Sequence, residues 1–158
     1  EDWNGRIGRA IGETALSKNI GRPVILSLSR TIEADKNAYY KELQQAQESN
    51  DITNWVIYFV KLTLDAQMQA NKLINHILKK SQFFDRYKDA LNERQLKVVQ
   101  KMFDAGPDGF EGGMNATKYA SITKTSKATA TRDLQYLLDQ EVFKMKGGGR
   151  STRYFLNG

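Results

Sequence analysis

Apolar residues recur every three or four positions through most of this chain and alternate only near its end. Residues 5–17 place Ile7, Ala10, Ile11, Ala15 and Leu16 at helical spacing. Gly8 and Gly12 weaken that helix but let backbones approach closely. Residues 17–21 read as its stop. Pro23 suits the first turn of a following helix, with Val24, Ile25 and Leu28 as its buried stripe. Residues 31–48 form a second amphipathic segment, with Ile32, Tyr39, Tyr40 and Leu43 inward and Lys36, Lys41 and Glu42 outward. A polar break at 49–51 follows, where Asp51 or Thr53 can cap the next helix. Residues 55–78 predict a long buried helix, and residues 81–91 a short separate one carrying Phe83, Phe84 and Tyr87.

A different order of elements begins at Asn92. Asn92 can cap a helix with Gln95 reaching back, and Leu96, Val99, Met102 and Phe103 form that helix's apolar face. Residues 105–113 hold four glycines and a proline, which predicts a loop. Asn115 caps a short helix over 116–120, and a turn follows at 122–125. Ser126 caps a third helix over 127–140, whose apolar positions are Ala128, Leu134, Leu137 and Leu138. Residues 142–146 and 152–156 alternate as two strands around the tip Gly147-Gly148-Gly149. The expected fold class is mainly α, a helical bundle over 1–91 followed by a small α+β module over 92–158.

Charge sharpens this division. The net charge is +6. Residues 1–91 hold 13 Lys+Arg against 11 Asp+Glu, or +2, and residues 92–158 hold 11 against 7, or +4. The smaller module thus carries more of the positive charge, which favours a polyanion partner; a solvated basic face would give the same count. There is no cysteine, so disulfides and thiolate metal sites are excluded, and the composition fits a cytoplasmic protein. No apolar run approaches the roughly 18 residues needed to span a membrane.

The start of the chain carries candidate chemistry. Asp2, Asn4, Gly5, Arg6, Gly8 and Arg9 stand at the amino end of the first helical pattern. Small residues let backbone N–H groups meet a phosphate, and the helix dipole favours an anion there. Arg6 and Arg9 are three apart, so a helix puts them on one face. Arginine donates to phosphate in pairs, and a carboxylate such as Asp2 suits the Mg²⁺ that accompanies nucleotides.

The run Asp2-Trp3-Asn4-Gly5-Arg6-Ile7-Gly8-Arg9 resembles the second half of the Fic motif, His-Pro-Phe-x-(Asp/Glu)-Gly-Asn-Gly-Arg-x-x-Arg. The Arg22-Pro23 run with the apolar stretch after it, the Tyr39-Tyr40 pair and Asn54-Trp55 read like the C-terminal half of that family. The resemblance covers roughly residues 1–90 and implies a Fic-type helical bundle. It implies an enzyme transferring AMP from ATP to a target protein's hydroxyl, with Asp2 on the metal. Asn4, Gly5, Arg6, Gly8 and Arg9 would then hold the nucleotide. The family's histidine, which serves as general base, has no counterpart here, and Trp3 stands where the motif has glycine. The expectation is therefore a fragment of such an enzyme, inactive by itself. The lone histidine, His76, lies in a helical run and reads as a packing residue.

Residues 92–157 resemble a winged helix-turn-helix. That resemblance implies binding of double-stranded DNA through Lys124, Thr125, Ser126, Lys127, Thr129 and Arg132 at the start of the third helix. Arg150 and Arg153 would act from the wing. The alternatives are a DNA-binding regulator with the first half as scaffold, and a winged helix used for homodimerisation.

Overall fold

The structure is a computed structural model and describes residues 3–20, 28–48 and 50–157. The side chains of residues 3–6, 9, 13, 16, 19 and 20 and of Arg150 lie outside that description. Among the described residues the chain is mainly helical, with seven α-helices and one two-stranded sheet. It divides into two compact units, Glu1–Lys72 and Leu73–Gly158.

The first unit contains α1 (Trp3–Ile20), α2 (Leu28–Ala34), α3 (Lys36–Gln47) and the first half of α4 (Thr53–Tyr87). α1 ends at Ile20, inside the stop expected at 17–21. The predicted helix start at Pro23, with Val24 and Ile25, lies outside the described residues. Residues 31–48 are not one helix. Asp35 interrupts them and caps α3, its Oδ1 accepting the Ala38 N–H at 3.0 Å. An aspartate there satisfies one of the N–H groups that a helix start leaves unpaired. Just before α4, Asp51 Oδ1 accepts the Thr53 N–H at 2.9 Å, pairing the first N–H of that helix.

Leu28, Ile32, Tyr39, Leu62 and Ala66 form the core of this unit, with Leu43, Trp55, Tyr58 and Phe59 packed around them. The Trp55 ring lies 5.6 Å from Tyr39 and 5.9 Å from Phe59. At Gly12 a Cβ would stand 3.8 Å from the Phe59 ring, an ordinary van der Waals distance, so the packing there does not require glycine. Tyr40 does not join the stripe and is exposed. The helix expected to be buried is buried on one face only. Trp55, Phe59, Leu62 and Ala66 turn inward, whereas Val60, Leu64 and Met68 are open to solvent.

The second unit begins at Leu73, so the last turns of α4 pack with the C-terminal elements. The short helix expected at 81–91 is the end of α4, which runs unbroken for 35 residues to Tyr87. Then come α5 (Glu93–Asp104), α6 (Ala116–Thr123), α7 (Lys127–Asp139), β1 (Phe143–Lys146), a 3-10 turn (Gly149–Ser151) and β2 (Arg153–Leu156). The capping box is present: Gln95 N–H donates to Asn92 Oδ1, and Asn92 N–H donates to Gln95 Oε1, both at 3.0 Å. β1 and β2 pair antiparallel, with Phe143 opposite Leu156 and Lys146 opposite Arg153. Met114 joins the edge of β2, exchanging hydrogen bonds with Tyr154 at 2.8 Å.

The core of this unit contains Phe83, Leu91, Val98, Val99, Met102, Phe103, Met114, Tyr119, Ala130, Leu134, Leu137, Val142 and Phe143. His76 is structural here. Its Nε2 lies 2.9 Å from the Phe103 carbonyl, so that nitrogen carries the proton and donates.

Gly113 is needed where it stands. Its φ is +65°, and a Cβ would lie 2.8 Å from the Phe155 ring and 3.1 Å from Arg153 Cβ. Gly113→Ala is expected to lower stability by about 1–3 kcal/mol, through strain and the displaced ring. The shift in urea midpoint of the amide resonances of 92–157 measures it.

Candidate nucleic-acid interface

The turn from α6 into α7 is built by local hydrogen bonds. α6 closes on Lys124, which adopts the left-handed conformation at φ 54° with its N–H returning to the Ala120 carbonyl. Thr125 N–H reaches the same carbonyl at 3.2 Å. Ser126 then caps α7, its Oγ accepting the Thr129 N–H at 3.2 Å and lying 3.0 Å from Thr129 Oγ1. Four of the predicted contact residues, Lys124, Thr125, Ser126 and Thr129, therefore shape the turn itself.

The phase of α7 decides what its outer side offers. Ala130, Asp133, Leu134 and Leu137 are buried. Ala128, expected inward, is exposed, and Ala130 takes the core position instead. Lys127, Ala128, Thr131 and Arg132 are exposed together along the first turns. This is a surface of two cations and two small residues. The one acidic residue in that stretch, Asp133, faces inward with 7% exposure. Its Oδ2 accepts from Tyr119 Oη and from Arg94 Nε, each at 3.0 Å. Sequence reasoning assigned Asp133 no inward role, because its partners lie 14 and 39 residues away.

Tyr119 is fully buried, and burial together with the Asp133 carboxylate holds its phenol well above the usual tyrosine range. The raised value means the native state keeps its proton where the unfolded chain would lose it. Stability is thus complete below the unfolded tyrosine pKa of about 10 and falls as pH rises through that value. Stability measured from about pH 8 to 11 is expected to drop, and Tyr119→Phe is expected to flatten the drop.

At the far end, α7 finishes in a Schellman arrangement, with Val142 N–H to the Leu137 carbonyl at 2.9 Å and Glu141 N–H to Leu138 at 3.0 Å. This turn aims β1 back along the core. The register puts Lys144, Phe155, Lys146 and Arg153 on one face of the hairpin, and Phe143, Leu156, Met145 and Tyr154 on the other. Arg153 Nη1 donates to the Thr152 carbonyl at 2.8 Å. Arg150 falls in the 3-10 turn at the hairpin tip, its side chain outside the described set. Lys144 and Lys146 add two cations to one face of the hairpin; the alternation of Lys144-Met145-Lys146 in a strand is the sequence signal for them.

Asp2 lies outside the described residues, as do the side chains of Asn4, Arg6 and Arg9. The backbone is helical over Trp3–Ile20, so positions 6 and 9 are one helical step apart. Gly8 is exposed, and a Cβ there would meet nothing within 4 Å. Among the described residues there is no group of three or more His, Asp or Glu that could hold a metal ion. Among them, too, no helix is long and apolar enough to cross a membrane. No protein-family model matches the chain, and no curated protein matches it.

Proposed function

We propose that the second unit is a winged helix-turn-helix that binds double-stranded DNA, with α7 entering the major groove and the wing gripping the flanking backbone. The supporting observation is the inward turn of Asp133, which leaves the amino-terminal half of α7 with exposed cations and small side chains only. An α-helix fits the major groove, and small residues between the cations let it lie close to the bases. Lys127 and Arg132 then meet phosphates or base edges, while Lys144, Lys146 and Arg153 neutralise the backbone beside them. Sequence-independent contacts of this kind release counterions, so affinity falls steeply with salt.

The test is a salt titration with duplex DNA. A slope of log affinity against log salt of about −4 to −5 is expected for five phosphate contacts. The double variant Lys127→Ala/Arg132→Ala is expected to weaken binding about 100-fold and flatten the slope by about two. Absence of binding at low salt, or an unchanged slope in that variant, overturns the reading and leaves homodimerisation for a sedimentation experiment to measure.

A second reading concerns the first unit, as part of a Fic-type enzyme that moves AMP from ATP onto a protein hydroxyl in the cytoplasm. What favours it is the likeness of residues 2–9 to the motif, together with the helical backbone of α1, which sets positions 6 and 9 one helical step apart. ATP phosphates would lie against that segment, with Arg6 and Arg9 neutralising them and Asp2 holding Mg²⁺. His76 donates to the Phe103 carbonyl, so it takes no part in this reading. AMP transfer is accordingly not expected from these residues alone.

A further inference from the structure

A cleft of about 240 Å³ opens between the outer face of the wing and the loop before Met114. Its lining is Met102, Gly109, Phe110, Lys144, Lys146, Phe155 and Leu156. The floor is apolar and partly aromatic, while the only charges lining it are two ammonium groups. Both lysines stand on the hairpin face that carries Phe155, and Lys146 Nζ lies 5.6 Å from the Phe155 ring. Neither lysine takes part in the salt bridges found among the described residues.

The walls of the cleft are held in place. Lys118 Nζ donates to the Glu111 and Gly113 carbonyls at 2.9 and 3.1 Å and sits 5.0 Å above the Phe110 ring. The Phe155 ring covers Gly113, where no larger residue fits. Gly106 and Gly109 turn the loop at φ +90° and +84°. The volume is too small for a nucleic-acid segment and suits one or two fused rings. An apolar cavity with a few convergent charges is the usual form of a small-molecule site.

We propose that this cleft is a binding site for a small aromatic carboxylate, its ring between Phe110 and Phe155 and its anion between Lys144 and Lys146. Charge-assisted hydrogen bonds from two ammonium groups select the carboxylate, and ring contacts select a flat apolar body. Such a ligand would neutralise two wing cations. The site does not depend on the DNA-binding reading, and it adds a small-molecule effector if that reading holds.

The experiment is a titration of the isotopically labelled chain with 2-naphthoate, followed through its amide resonances. Saturable shifts are expected at Gly109, Phe110, Lys144, Lys146 and Phe155. Its neutral counterpart 2-naphthamide and inorganic phosphate are each expected to bind about tenfold more weakly, because each lacks one of the two features. Lys144→Met with Lys146→Met retains the apolar stems and is expected to weaken naphthoate binding about tenfold while sparing naphthamide. Lys127→Ala/Arg132→Ala, aimed at the DNA reading, is expected to leave naphthoate affinity unchanged. The proposal is overturned if no saturable shift appears below about 10 mM, if shifts arise elsewhere, or if the amide and the lysine variant bind naphthoate's way with equal strength.

Discussion

Asp133→Ala is expected to destabilise the C-terminal unit by about 2–3 kcal/mol, because it strips the buried Tyr119 hydroxyl of its acceptor and leaves a void in the core. Tyr119 is fully buried and its hydroxyl donates to Asp133 at 3.0 Å. Asp133→Asn keeps an oxygen for the hydroxyl and is expected to cost only about 1 kcal/mol. Arg94→Ala is expected to matter less than either, since half of that side chain is already in water. Urea unfolding followed through the amides of 92–157 ranks the three. If Asp133→Ala equals Asp133→Asn, the hydroxyl bond contributes nothing and the explanation for the inward carboxylate fails. The functional corollary is direct: an aspartate that lost this bond could swing outward and repel a polyanion from α7.

The largest effect is expected at Phe143. Its side chain is almost fully buried, 6.4 Å from the Tyr154 ring, where α7 hands over to β1. Phe143→Ala removes a ring from a closed core and is expected to cost about 3–5 kcal/mol. Met145 shares the strand and the same hairpin face but is about half exposed. Met145→Ala is expected to stay within about 1 kcal/mol of the parent. Equal losses at the two positions would mean that the inner face of the hairpin does not seal the core.

Local chemistry in the second unit was readable because its signals span three or four residues. Asn92 with Gln95, Asn115 with Lys118 and Ser126 with Thr129 each cap a helix within one turn. The triple glycine likewise marks the hairpin tip. The continuity of α4 was obscured because Lys79, Lys80 and Ser81 interrupt the apolar stripe. A polar stretch without glycine or proline changes the face of a helix without ending it. The break at Asp35 was obscured for the opposite reason, since Ile32 and Tyr39 keep helical spacing across it. In α7 the alternating Ala-Thr run admits two phases, and Leu134 with Leu137 selects the one that buries Ala130. The bond from Arg94 to Asp133 has no local signal, because only the folded core brings those residues together. The cleft beside the hairpin had none either, as its lining comes from four separate stretches of chain.

Lys124 closes α6 in a backbone conformation that glycine adopts without penalty and lysine does not. A glycine at that corner would make the protein hardier to heat and would also delete a cation from the rim of the proposed DNA face. Thermal endurance and grip are therefore opposed at a single residue, and selection for one would be read as erosion of the other.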